Sequence, residues 1–357
     1  MGLKELTLSN FRCFDEVVVI PDPDAVTVLL SPNGTGKTTI LEAVHLLSTG
    51  QSFRTTSAAD TLKTGRDVAE AHAVVTHTSR RFQIDMVIRR GQRAVTKQLK
   101  VNGLRPSSRA ELAEWLPLTV FTPEGVDVIR HGPDQRRQLL DVLVVDAHPG
   151  YAPIFERFSR VLTQRNSLLK SFHGVIPTVH QRREIEVWND EFVESASRVQ
   201  ALRVWLLEQL DPLLSEGYSA MVESATPVRL EYLPSNDGSL EESLMRSLRD
   251  DIQRGYTTVG PHRDDFRAVL DGRDARRQAS QGEQRSLALA LRLSAHHLVE
   301  QRGVRPLILL DDVFSELDPH RAARLVELLP PGQTLVTTAV PLPGAFRDAH
   351  VIDVRGV

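Results

Sequence analysis

The run from Val26 to Leu47 restricts the possible folds more than any other part of this chain. Val26–Leu30 is apolar and β-branched enough for a buried parallel strand. It leads straight into Ser31-Pro32-Asn33-Gly34-Thr35-Gly36-Lys37-Thr38-Thr39, and then into Ile40–Leu47, a stretch of helix formers with an apolar face. Strand, glycine-bearing loop and helix in this order are the context of a P-loop. Gly34 and Gly36 let the backbone curl so that successive N–H groups between Asn33 and Thr39, Thr35 among them, point at phosphate oxygens. The helix adds the partial positive charge of its N-terminus. ATP is the expected ligand. Lys37 should reach the β- and γ-phosphates, a pairing worth roughly 4 kcal/mol before desolvation at ~4 Å and an effective dielectric of ~20. Thr38 should place its hydroxyl on Mg²⁺, and Thr39 should lie near the α-phosphate. Ser31 stands where the usual pattern has its first glycine; it is small, so strain is expected rather than loss of binding.

Bulk properties narrow the class. With 357 residues and 41% hydrophobic content the chain can bury a large core, and its length favours two domains or lobes. The formal net charge of -3 does not attract nucleic acid, so any such binding must come from local basic patches. The single cysteine, Cys13, allows no internal disulfide and no zinc spacing, which fits a reducing, cytoplasmic location. The N-terminus reads as no signal peptide, and no stretch approaches the ~18–20 apolar residues of a membrane span, so no membrane partner is expected. Strands are expected at Leu3–Leu8, Val17–Ile20, Ala73–Thr76, Phe82–Ile88, Ala94–Val101 and Leu118–Phe121, and helices at Asp134–Asp146, Tyr151–Lys170 and Arg183–Tyr218. The last carries Ile185, Trp188, Phe192, Ala196, Val199, Leu202, Leu206 and Leu210 at helical spacing, a core stripe. Strands resume at Val228–Leu233, Phe266–Leu270, Leu307–Leu310 and Thr334–Thr338, with a helix after Ser280.

Leu307-Ile308-Leu309-Leu310-Asp311-Asp312 is a buried strand ending in two acids, the Walker B arrangement. Asp311 is expected to hold Mg²⁺ and Asp312 to polarise the attacking water. Most ABC-type ATPases carry Glu at the second position, and the shorter Asp points to slow hydrolysis. Ser315-Glu316-Leu317-Asp318 is similar to the D-loop that follows Walker B in such proteins. Ser280-Gln281-Gly282-Glu283-Gln284-Arg285 opens a helix and resembles the ABC signature, whose Ser and Gly at a helix start suit an anion. Taken alone, each of these segments also reads as a capped helix or an ordinary loop. Their order along the chain favours the nucleotide reading.

The likeness extends further. Asn10-Phe11-Arg12, Ser52-Phe53-Arg54, Phe121-Thr122-Pro123-Glu124, Arg136–Asp141, Gln164–Lys170, Gly260-Pro261-His262-Arg263-Asp264-Asp265 and Leu310–Asp318 all resemble the RecF family of bacterial recombination-repair ATPases, across nearly the whole chain. The resemblance implies an α/β, ABC/SMC-head-like P-loop ATPase lobe at 1–120 with 250–357, and an inserted, mostly helical arm domain at 121–249. It implies a weak ATPase whose two subunits close on ATP, each giving Ser280, Gly282 and Gln284 to the partner's nucleotide. It further implies binding of double-stranded DNA by the closed homodimer, RecR and RecO as partners, and RecA loading at gaps. By similarity with SMC heads, Arg12 is expected at the nucleotide. Two departures stand out: no glutamine can be assigned as the Q-loop, where Thr122 or Glu124 falls, and no switch histidine stands near Thr337 and Thr338. Arg89, Arg90, Arg93, Lys97 and Lys100 cluster on one expected hairpin, followed by Arg105 and Arg109, and are candidates for sequence-independent DNA phosphate contacts. Two other readings are a transporter ATPase subunit and a module that dimerises on ATP without turnover.

Overall fold

The computed structural model describes residues 2–77, 80–126, 128–175, 177–339, 346 and 349–354. The strands are β1 (Gly2–Ser9), β2 (Glu16–Val19), β3 (Val26–Leu30), β4 (Val68–His77), β5 (Arg80–Arg90), β6 (Val95–Val101), β7 (Leu118–Phe121), β8 (Val228–Leu233), β9 (Asp265–Leu270), β10 (Arg273–Asp274), β11 (Leu307–Asp311), β12 (Thr334–Thr338) and β13 (His350–Asp353). The helices are α1 (Lys37–Thr49), α2 (Arg109–Trp115), α3 (Pro123–Val126), α4 (Pro133–Ala147), α5 (Ala152–Ser171), α6 (Val179–Val222), α7 (Leu240–Arg254), α8 (Ala275–Gln278), α9 (Gln281–Glu300) and α10 (Pro319–Leu328). They form two compact units: Met1–Asp127 with Ala220–Ser224 and Ala288–Val357, and Val128–Ser219 with Ala225–Leu287.

In the first unit, β13-β3-β12-β11-β7 make a parallel sheet and β2-β1-β4-β5-β6 an antiparallel one. Helix α1 lies between them. Its Ile40, Leu41, Val44 and Leu47 share one core with Leu3, Leu6, Ile84, Met86, Leu309 and Leu335, which is why so many of its faces are apolar. The other face of the parallel sheet presents Val28, Ile308, Leu310 and Val336 to Leu289 and Leu293 of α9 and Leu325 of α10. Covered on both faces, these strands read as continuous hydrophobic runs. A parallel sheet with the phosphate-loop strand β3 next to β12, and β12 next to β11, brings the carboxyl ends of all three together.

The second unit contains α4 and α5, most of α6, the antiparallel sheet β10-β9-β8, and α7 and α8. The apolar stripe of α6 is core: Phe192, Ala196, Val199, Leu206 and Leu210 are fully buried, with Phe158 and Leu244 among their neighbours. This unit reaches Leu287. A boundary at 249/250 would separate β8 from β9, which pair from Val228↔Leu270 to Leu233↔Asp265. Helix α7 lies outside the helices expected from the sequence. Its signals are Ser239, whose side chain accepts from the Glu242 amide, and Leu240, Leu244, Leu248 and Ile252 at four-residue spacing.

Candidate nucleotide site

The loop from Ser31 to Gly36 turns on two left-handed glycines, Gly34 at φ 83° and Gly36 at φ 105°. Gly36 has no alternative residue: a Cβ there would lie 2.4 Å from Phe14 Cζ and 2.7 Å from Cys13 Sγ. Helix α1 then starts with no side-chain cap and no acidic residue in its first turn. Its orphan N–H groups are thus left for an external anion. The Lys37 ammonium donates to the loop's own carbonyls, Ser31 O at 2.5 Å and Pro32 O at 2.9 Å. Burial pushes its pKa down, against the opposing charges of Asp312 and Asp311. The Ser31 hydroxyl is buried and without a hydrogen-bond partner.

Asp311, at the tip of β11, accepts from Thr38 Oγ1 at 2.8 Å and from Thr337 Oγ1 at 2.7 Å, both at Oδ1. Burial raises its pKa, and the two hydroxyls work against that rise. Asp312 follows in the left-handed region at φ 48°, with its Oδ1 buried and unpartnered. A carboxylate and a hydroxyl converging beside an uncapped helix N-terminus form an oxygen donor set of the kind hard divalent cations take, and the site therefore fits Mg²⁺ together with a phosphate.

The remaining predicted residues fall as follows. Arg12, at φ 52°, is clamped by Glu42 of α1 through Nε at 2.8 Å and a terminal nitrogen at 2.6 Å. Glu42 is fully buried and also accepts from Ser52 Oγ at 2.5 Å and from Arg54 at 3.4 Å. The sequence signal of Glu42 is a lone carboxylate four residues after Thr38, set among Ile40, Leu41, Ala43 and Val44. Thr122 follows directly on the Phe121↔Leu310 pair, so it stands beside Asp311, while Glu124 is exposed on α3. In the D-loop segment, Ser315 Oγ donates to Asp312 O at 2.7 Å, and Asp318 caps α10 by accepting from the Arg321 amide.

In the second unit, Ser280 is exposed and forms a capping box with Glu283. Gly282 is half-buried. Gln284 differs from the expectation: it is buried, and its Nε2 donates to the carbonyls of Ala275 and Arg276 at 2.8 and 3.1 Å. Its amide holds α8 in place. The basic hairpin also divides. Opposite residues of a strand pair share a face, and alternate residues change face. Lys97 pairs with buried Ile88 and donates to the carbonyl of Gly50, the C-cap of α1, at 2.9 Å. Arg90 shares that face, with Asp67 at 3.7 Å. Lys100, opposite Asp85, and Arg89, opposite Thr96, lie on the other face, and Arg93 is in the turn. Strand parity thus divides the five cations between the two faces of the hairpin and its turn, and all five are exposed.

Fold and site together define an ABC/SMC-head-like P-loop ATPase. The family description RecF/RecN/SMC N terminal domain matches residues 2–340. DNA replication and repair protein RecF of Streptomyces avermitilis is 35% identical over 97% of this chain and 96% of its own. The RecF of Acidothermus cellulolyticus is 34% identical over 96% of this chain and 95% of its own. The chain belongs to the RecF family. A solved recombination mediator protein RecF with ATP, of the RecFOR pathway, superposes with TM-score 0.86 at 29% identity, covering 95% of this chain and 92% of that one. An Smc head bound to the C-winged helix domain of ScpA, at TM-score 0.54 and 17% identity over 95% of this chain and 90% of that one, shares the fold alone. Among the described residues, no helix is long and apolar enough to cross a membrane.

Proposed function

We propose that this chain is an ATP-driven DNA clamp of recombinational repair, with slow, DNA-dependent ATP hydrolysis. The observation that carries the reading is the 2.8 Å bond between Thr38 Oγ1 and Asp311 Oδ1, beside Lys37 and an uncapped helix start. Backbone N–H groups from Asn33 to Thr39 cradle the phosphates, and Lys37 exchanges its loop carbonyls for phosphate oxygens. Thr38 and Asp311 would hold Mg²⁺, which would supply charge neutralisation for the β- and γ-phosphates. Asp312, with its unpartnered Oδ1, orients water; the short side chain makes this step slow. The RecF–ATP relative supports ATP as the nucleotide and RecR and RecO as partners.

Two copies close head to head on ATP, each offering Ser280 and Gly282 at a helix start to the other's nucleotide. Closure creates the double-stranded DNA site, and hydrolysis opens it, assisting RecA loading at gaps. DNA binding is sequence-independent and weakens with salt. Arg89, Arg90, Arg93, Lys97 and Lys100 are all exposed and remain the hairpin candidates for it. The test is mass in solution by light scattering, with and without ATP and Mg²⁺. A doubling that Ser280→Arg abolishes is expected; a constant mass would refute the closed homodimer. If ATP acted only as a dimerising ligand, Asp312→Asn would leave the lifetime of the dimer unchanged instead of prolonging it.

A further inference from the structure

No histidine ends β12, and the residues there are Thr337 and Thr338, both fully buried. β12 lies between the phosphate-loop strand β3 and the Walker B strand β11, with Thr337 in register with Leu29 on one side and Asp311 on the other. Strand alternation puts Thr337 on the face of Leu335, which packs with α1. From that face its hydroxyl reaches Asp311 Oδ1 at 2.7 Å, the same oxygen that Thr38 of α1 reaches at 2.8 Å.

A third bond fixes the direction of the others. The amide of Asp312 is shared between Thr337 O at 3.2 Å and Thr337 Oγ1 at 3.0 Å. An amide only donates, so the threonine oxygen accepts there, and its one proton goes to Asp311. One hydroxyl thus sets both the carboxylate of Asp311 and the left-handed backbone of Asp312. Among the described residues no donor reaches the other carboxylate oxygen of Asp311, which leaves Oδ2 to face a cation.

We infer that Thr337 is a positioning residue that locks Asp311 and Asp312 into one unit, presenting Asp311 to Mg²⁺ and holding Asp312 where its side chain can orient water. This rests on the nucleotide reading above.

The experiment compares wild type with Thr337→Val, which keeps the shape and removes the hydroxyl, and Thr337→Ser, which restores it. One readout is Mg²⁺-dependent binding of a fluorescent ATP analogue. The other is hydrogen exchange of the Asp312 amide in the apo protein, where neither metal nor nucleotide enters. Loss of one charge-assisted bond should raise the Mg²⁺ concentration for half-maximal binding about tenfold in Thr337→Val. Asp312 amide exchange should accelerate in the same variant, and Thr337→Ser should return both to near wild type. In steady state, kcat should fall more than KM rises. An unchanged Mg²⁺ requirement and unchanged exchange in Thr337→Val would overturn the inference, as would a serine variant as impaired as the valine one. Thr337→Ala gives the same readouts should valine fail to fold. If wild type itself binds no Mg²⁺–nucleotide, the nucleotide reading fails, and the amide exchange still decides whether Thr337 joins the two acids.

Discussion

Glu42 accepts from Arg12 at 2.8 and 2.6 Å and from Ser52 at 2.5 Å, and it is itself fully buried. Glu42→Ala removes the acceptor and leaves the guanidinium of Arg12, only 20% exposed, against an apolar helix. Charge-assisted bonds of this kind are worth about 1.5–3 kcal/mol each. Arg54, at 41% exposure, re-solvates readily, and water reaches part of Arg12, so the loss should be about 3 kcal/mol rather than the full sum. For a unit of this size that lowers the melting temperature by about 6–12 °C. Calorimetry of the apo protein measures it, and a double-mutant cycle with Arg12→Ala should give a coupling of about 2 kcal/mol. If Arg12 also meets the nucleotide, Glu42→Ala should weaken ATP binding about tenfold by releasing that side chain. A melting point within about 1 °C of wild type, with additive single variants, would refute the claim that Glu42 fixes Arg12.

Three further outcomes follow from the same geometry. Gly36→Ala forces a side chain to φ 105° and onto Phe14 at 2.4 Å, so nucleotide affinity should fall roughly a hundredfold by fluorescence titration, whereas Gly34→Ala, whose Cβ would meet nothing within 4 Å, keeps only the strain of φ 83° and should lose less. Arg165 and Asp251 are fully buried and 2.9 Å apart; Asp251→Asn alone should cost about 3–5 kcal/mol in urea unfolding, and an apolar replacement of both should cost less than the two single changes summed. His296 is buried beside Thr119, and burial holds its pKa down to about 4. Between pH 6.5 and 4 the unfolded chain binds the extra proton, so stability falls as acid is added, by about 3 kcal/mol in total; His296→Gln should flatten that part of the stability–pH curve.

Much of the fold was legible because its signals are local. Val26–Leu30, Leu118–Phe121 and Thr334–Thr338 are strands over the expected residues, since a parallel sheet covered on both faces leaves few polar positions, and Val228–Leu233 is one because apolar and charged residues alternate along Val228–Glu231. The α6 stripe was visible because helical spacing puts one face on the core. The directions of single side chains were not. Lys97 looked like a hairpin cation, yet strand parity turns it toward α1, and the carbonyl that takes it, Gly50, is 47 residues away. Gln284 looked like a signature residue offered outward, but the carbonyls of α8 satisfy it. Glu42 and Thr337 drew no notice as site residues because their partners, Arg12 and Asp311, meet them only through the sheet order.

The residues that carry the family likeness divide into two kinds when their partners are traced. In the nucleotide loop and at the end of β11 they leave atoms unspent: the Ser31 hydroxyl, Asp312 Oδ1 and the start of α1. In the second unit most of them are spent on one another, with His262 Nδ1 and one Arg165 nitrogen as exceptions. Arg203 joins Asp141 at 2.8 Å to the carbonyl of Pro261 at 2.7 Å, and Arg137 reaches the carbonyl of Asp264 at 2.7 Å. Arg136 reaches Asp265, and buried Asp264 accepts from Gln200, Tyr232 and Ser235. A buried charge without its partner costs several kcal/mol, so these positions must be occupied jointly. Likeness in Arg136–Asp141 and Gly260–Asp265 therefore transfers an architecture, because it specifies which buried charges neutralise which. Likeness in Lys37, Thr38, Asp311 and Asp312 transfers a chemistry, because what those residues leave unsatisfied is what a phosphate, a cation and a water would complete.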